Sequence, residues 1–229
     1  MCFSLQADLI GGVVVSAIGV DALRHVRRAG ELPIASLPLL LGGHLLIETF
    51  VWWGLDGAMP ADAGTAAMWS YLIIAFVVLP PFVPLAVMAI EPSPIRRSLL
   101  AAFGLLGGAV GLVLLVTMVR EPVTVHAGAN HLAYDVGLRD GLLIVILYVV
   151  ATCGSLLTSS HRHLVVFGLI NLPAVVVLAW LNSSGFASLW CAWAAVASVM
   201  IAVHLRRAPA GGDTARLLST TRRIEASPR

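Results

Sequence analysis

The sequence contains no lysine: all 14 of its basic residues are arginine. That excludes a catalytic Schiff-base lysine, including the one a retinal-binding bundle needs, and the usage fits a GC-rich genome. Charge of either sign is scarce, at 11% of residues, where a soluble globular domain usually has about 25%. Cysteine is limited to Cys2, Cys153 and Cys191, without a C-x-x-C or any other ligand spacing. No G-x-S-x-G, H-E-x-x-H, Walker A or G-x-G-x-x-G occurs, which removes the familiar hydrolase, zincin and nucleotide-binding signatures. A haem motif is absent too, and the ligand pattern of seven-helix zinc lipid hydrolases is not recognisable. Cofactors are therefore unassigned. A net charge of +2, with no basic patch interleaved with aromatics, argues against a nucleic-acid partner.

What fills the chain is apolar: 59% of its 229 residues are hydrophobic and the mean hydropathy is +0.94. The pattern predicts an all-α transmembrane bundle of seven helices near 5–23, 32–55, 66–90, 98–119, 141–159, 163–181 and 186–205. Residues 1–207 form one membrane domain, and 208–229 a disordered, arginine-rich tail attracted to anionic lipid. The N-terminus lacks a basic region and an A-x-A site, so the first helix is expected to stay in the bilayer.

Arginine sets the orientation. Twelve of the fourteen lie after helices 1, 3, 5 and 7, from Arg24 to Arg229, while the opposite links hold Asp56, Asp62, Glu121, Asp135 and Asp140. The expectation is an extracytoplasmic N-terminus and a cytoplasmic tail in a bacterial inner membrane. On the outer side, residues 123–136 alternate apolar and polar around Ala-Gly-Ala-Asn, which predicts a β-hairpin between helices 4 and 5. His126 and His131 flank its turn, where solvated histidines are the plainer reading and a metal pair the sharper one.

The second span carries the main anomaly. His44 and Glu48 stand at i and i+4 in its middle, with Trp52 one turn on, so the three share a face. A carboxylate there costs on the order of 3 kcal/mol and needs a partner, a cavity or a proton. Glu48 lies about 10 Å below the outer end of its helix, at 1.5 Å per residue, level with Cys191 and on the side where Cys2 begins the chain. Three readings stand. His44, Glu48, Trp52 and Asn171 line an outward-facing cavity that binds or transports a small polar ligand. Alternatively His44, Glu48, Cys191 and Cys2 hold a transition metal in a membrane-embedded enzyme. In the third, these groups only lock helix packing in a structural subunit. Whether the chain is an enzyme stays open.

Other features have bland readings beside sharper ones. Asp21 fits an interfacial ion pair with Arg24 or His25. Pro80, Pro81 and Pro84 should kink or break the third span and free backbone carbonyls, which neighbours satisfy or which line a site. Gly104, Gly107, Gly108 and Gly111 form overlapping G-x-x-x-G pairs, suited to packing within the chain or to a homodimer. Trp52, Trp53, Trp180, Trp190 and Trp193 fit an outer aromatic belt or a cavity lining. His161, Arg162 and His163 at the inner surface fit a solvated helix end or a lipid head-group site.

Met1-Cys2-Phe3-Ser4, Leu32-Pro33, Pro38-Leu39-Leu40 leading to Glu48 and Trp52, Ser159-Ser160-His161-Arg162 and Ser188-Leu189-Trp190-Cys191 together carry a family likeness. Over nearly its whole length the chain resembles an uncharacterised bacterial integral membrane family whose members open Met-Cys-Phe-Ser. The resemblance supplies no activity. It implies glutamine as a frequent alternative at the position of His44, hence a hydrogen-bonding side chain there rather than a metal ligand.

Overall fold

In a computed structural model of the chain, residues 5–127, 132–137, 141–181 and 198–203 are described. Helix α1 (Leu5–Arg24) leads through a short 3₁₀ turn, Ala29–Glu31, into α2 (Leu32–Leu55). The carboxylate of Glu31 accepts from the backbone N–H of Arg27 and of Arg28, which closes that turn. Close approach of α1 and α2 depends on small residues: a Cβ on Gly19 would meet the backbone of Leu39, and one on Gly42 the backbone of Ser16.

The third span is one helical path of 30 residues, Ala61–Ile90. It consists of α3 (Ala61–Leu72), a π-helical turn (Ile73–Val78) and α4 (Leu79–Ile90). The expected break at Pro80 and Pro81 takes the form of that π-turn. Leu79 N–H donates to the carbonyl of Ile74, five residues back. The next carbonyl, Ala75, would look to residue 80, and proline has no N–H to offer. Tyr148, from the later helix Gly141–Thr158, supplies the missing donor, its hydroxyl lying 2.8 Å from the Ala75 oxygen.

Helix α5 (Pro94–Arg120) follows, then strands β1 (Thr124–Ala127) and β2 (Leu132–Asp135), then α6 (Gly141–Thr158) and α7 (Arg162–Leu181). The strands pair antiparallel with Thr124 opposite Asp135 and Val125 opposite Tyr134. The hairpin thus lies where the alternating pattern put it. Its Leu132 and Val136 are buried against Val51, Tyr71, Leu72 and Met118. On α5, Gly107 abuts the Pro80 carbonyl, Gly111 abuts Val77 and Gly104 abuts Leu85, whereas Gly108 faces open space. Three of the four glycines therefore serve packing within the chain.

Two helices begin earlier than hydropathy alone indicates. α3 starts at Ala61 behind Pro60, with Asp62 in its first turn, and α5 starts at Pro94, so Arg96 and Arg97 are helical. Hydropathy marks the apolar stretch, while helices continue past it, here from proline-led starts that need no donor. Five helices are long and apolar enough to cross a membrane: Leu5–Arg24, Ala29–Leu55, Ala61–Ile90, Pro94–Arg120 and Gly141–Thr158. The sixth expected span coincides with α7. Of the seventh, only residues 198–203 are described; they are helical, and Ile201 and Ala202 pack into the main core with Val15, Ile34, Val87 and Leu164. Apolar side chains stay exposed along α1 (Ile10, Val13, Val14) and α5 (Leu105, Leu112, Val119), as on a lipid-facing surface. Residues 208–229, including the expected tail, lie outside the described residues.

Candidate functional site

The 3.6-residue repeat of α2 brings His44, Glu48 and Trp52 onto one stripe, and that stripe is turned inward. His44 is 4% exposed and Glu48 1%. Three other elements complete the surroundings. From α1, Asp8 accepts a 2.9 Å hydrogen bond from the indole Nε1 of Trp52. From α3, the Tyr71 ring stacks on the His44 imidazole with centroids 3.9 Å apart and planes at 15°. From β2, Tyr134 stacks on the other side of the series, 4.8 Å from Tyr71 and again at 15°. An aromatic column thus runs from the hairpin down to the buried histidine.

A neutral imidazole offers one donor and one acceptor. Among the described residues, Nδ1 of His44 has no hydrogen-bond partner, a deficit of about 1–3 kcal/mol. Asp8, Glu48, Tyr71 and Tyr134 are all engaged in interactions of their own. Thr49, beside Glu48, turns its hydroxyl to the Leu45 carbonyl at 3.3 Å, the usual resolution for a buried threonine in a helix.

Asn171 belongs to a different place. It is buried on α7, and its Nδ2 donates to the Cys153 sulfur of α6 at 3.2 Å. It lines a cavity of about 90 Å³ between α2, α4, α6 and α7, and His44, Glu48 and Trp52 are not among the residues lining that cavity. The structure therefore gathers three of the four proposed ligand-binding residues and sets the fourth apart. Of the proposed metal donors, Cys2 and Cys191 lie outside the described residues, as do His131, Trp190 and Trp193. Among the described residues, no three His, Cys, Asp or Glu side chains converge in a way that would hold a metal. His126 is exposed on β1.

At the far end of the bundle, His161, Arg162 and His163 sit in and after the α6–α7 turn, beside a carboxylate. Glu91, 2% exposed in the α4–α5 turn, accepts from the Ser160 N–H at 2.8 Å, from the Ser160 hydroxyl, and from the Ser93 N–H at 3.2 Å. Burial pushes the Glu91 carboxyl up, but the Ser160 and Ser93 hydrogen bonds and the charge of nearby His161 outweigh it and hold the group below the usual carboxylate range. Arg96 adds a 3.2 Å bond to the Thr158 carbonyl. The rings of His161 and His163 meet edge to face at 5.7 Å, and the Ser159 hydroxyl lies 3.3 Å from His161 Nδ1. On the arginine side, Asp21 lies 3.7 Å from His25 Nδ1, the interfacial pair its spacing indicates.

Sequence reasoning missed Tyr71, Tyr134 and Glu91, and gave Asp8 no role. A signal existed for two of them. Tyr134 shares the period-two face of Leu132 and Val136, and Glu91 stands in a Glu-Pro-Ser-Pro turn facing the Ser-Ser-His-Arg turn.

The fold and this cluster define a class: a helical protein with several apolar helices compatible with a membrane, enclosing a buried His–Glu–Trp–Asp group beneath a small hairpin. The chain belongs to a family of unknown function, DUF6629, which matches residues 1–216. No curated protein and no solved structure matches the chain.

Proposed function

We propose that the chain is a seven-span protein of the bacterial inner membrane, with its N-terminus outside, that binds or transports a small polar ligand at His44 and Glu48. The topology rests on the arginine bias. The ligand reading is carried by one observation: a nearly fully buried imidazole whose Nδ1 has no partner among the described residues, one helical turn from a buried carboxylate. A buried polar atom left unmatched is retained at a cost, and a ligand hydrogen bond offsets that cost. The hairpin covers this end of the bundle, and the Tyr134–Tyr71–His44 column connects it to the site, so the pocket faces the outer side on the arginine-based orientation. Trp52, held by Asp8, forms its rim.

The aromatic column also favours a second reading, in which the cluster is a packing device that fixes α1, α2, α3 and the hairpin. Glu48→Gln separates the two, because it keeps shape and removes charge. On the binding reading the variant folds with wild-type thermal stability but loses uptake of, or thermal stabilisation by, those members of a panel of small polar solutes that act on the wild type. If Glu48→Gln only lowers stability and no solute stabilises the wild type, the packing reading replaces it.

A further inference from the structure

The cluster around His44 has a charge as well as a shape. Two of its side chains are carboxylates taken out of water, Asp8 and Glu48, both almost completely buried. They are linked through Trp52, which stands one helical turn beyond Glu48 and donates its indole N–H to Asp8. The elements that build the cluster, α1, α2, α3 and β2, contain one arginine between them, Arg24. It lies sixteen residues along α1 from Asp8, about 24 Å at 1.5 Å per residue. The chain has no lysine. No arginine or lysine of these four elements therefore reaches the two carboxylates, and among the described residues the cluster is negative.

The approach carries the same sign. Asp56 follows Trp52 by one turn on α2, its N–H donating to the Trp52 carbonyl at 3.0 Å, so it extends the His44–Glu48–Trp52 stripe to the surface. Asp56, Asp62, Glu121 and Asp135 are exposed at this end of the bundle, against Arg120 among the described residues. Negative charge at the mouth and within the site concentrates cations and repels anions.

The second observation is the His44 imidazole. Its Nδ1 has no hydrogen-bond partner among the described residues, on a residue 4% exposed and one turn from Glu48. An anion placed there would face two carboxylates. A cationic N–H donor is attracted by both and completes the imidazole, with Nδ1 as its acceptor nitrogen. An alkali or alkaline-earth ion is a poorer match, because such ions take oxygen ligands. Among the described residues no three donors converge for a transition metal. Tyr71 stacks between His44 and Tyr134, so its faces are taken and do not serve a quaternary ammonium. Resting on the ligand reading above, we infer that the ligand is a small protonated amine. It donates an N–H to His44 Nδ1, and Glu48 and Asp8 balance its charge.

Matched solutes test this: methylamine to butylamine as hydrochlorides, the alcohols with the same frames, and the corresponding sodium carboxylates. The full chain is held in lipid nanodiscs at neutral pH and equal ionic strength. At least one amine near saturation should raise Tm by about 2–4 °C, and its alcohol and carboxylate should not. Glu48→Gln should abolish the shift. Asp8→Asn keeps an acceptor for Trp52, removes the charge, and should raise the amine concentration required about tenfold. If Asp8→Asn does not fold, the solute contrast and Glu48→Gln still decide. An alcohol or carboxylate that matches or exceeds its amine would overturn the amine, as would an amine shift that survives Glu48→Gln. Inactive amines beside another polar solute that acts through Glu48 would overturn the amine and leave the ligand site standing. No shift with any solute would overturn both.

Discussion

Two buried carboxylates, Glu48 under the hairpin and Glu91 at the opposite end of the bundle, stand in different surroundings. Helix α5, 27 residues and so about 40 Å long, separates the two ends. Glu91 receives three hydrogen bonds, two from Ser160 of the α6–α7 turn and one from Ser93 of its own turn. Its partners account for its burial, because the charge-assisted bonds replace the water it lost and fasten the α4–α5 turn to the α6–α7 turn. At the other end, His44 stacks well but leaves Nδ1 unmatched. Burial alone therefore does not distinguish a fastening from a site. The hydrogen-bond inventory does: a fully matched group explains itself, and a group with an unmatched atom calls for a ligand.

The largest expected effect falls on the fastening. Glu91→Ala leaves the Ser160 and Ser93 donors without their acceptor and should destabilise the protein by about 3 kcal/mol, measured by denaturant or thermal unfolding in detergent. Glu48→Gln should change stability far less, and an equal loss at both positions would erase the contrast. Next comes Tyr148→Phe. It strands the Ala75 carbonyl opened by Pro80 and should lose about 1–2 kcal/mol, with faster amide exchange through the π-turn. Wild-type exchange there would mean that the π-turn satisfies itself.

The smallest effect is the pH response of the fastening. The folded Glu91 carboxyl titrates below its ordinary value of 4.5, so its contribution is complete above about pH 4.5 and declines as the pH falls through the lowered folded value. Wild-type stability should therefore fall on acidification below that point, and Glu91→Gln should flatten the decline. An unchanged acid profile in the variant would assign the loss to other groups.

The fold was legible wherever it depends on local pattern. Apolar runs located six of the expected stretches as helix, five of them long and apolar enough to cross a membrane, and period-two alternation located the hairpin. The starts at Ala61 and Pro94 were not legible, because hydropathy does not register helix outside the apolar stretch. Pro80 and Pro81 marked the irregular point without revealing that it would be a π-turn matched by Tyr148, a partner 73 residues from Ala75. The site divides in the same way. The His44–Glu48–Trp52 stripe follows from one helix's periodicity. The partners of that stripe, Asp8 44 residues from Trp52 and Tyr71 across a helix contact, depend on which helices are neighbours. Ser160 and Glu91, 69 residues apart, are the same case, and their pairing gives the Ser-Ser-His-Arg motif a physical role. Asn171, grouped with the stripe in the sequence, lines a cavity whose wall does not include the stripe.

Access to the His44–Glu48 cluster is the most direct measure of the central claim. Glu48→Cys, in a background with Cys2, Cys153 and Cys191 replaced by serine, can be challenged in right-side-out membrane vesicles with a membrane-impermeant thiosulfonate. A ligand site open to the hairpin side predicts modification from that side, slowed by any solute that stabilises the wild type. A thiol that resists the reagent from both faces, in a variant that is otherwise folded, would contradict the account and leave the cluster as a dry joint between helices.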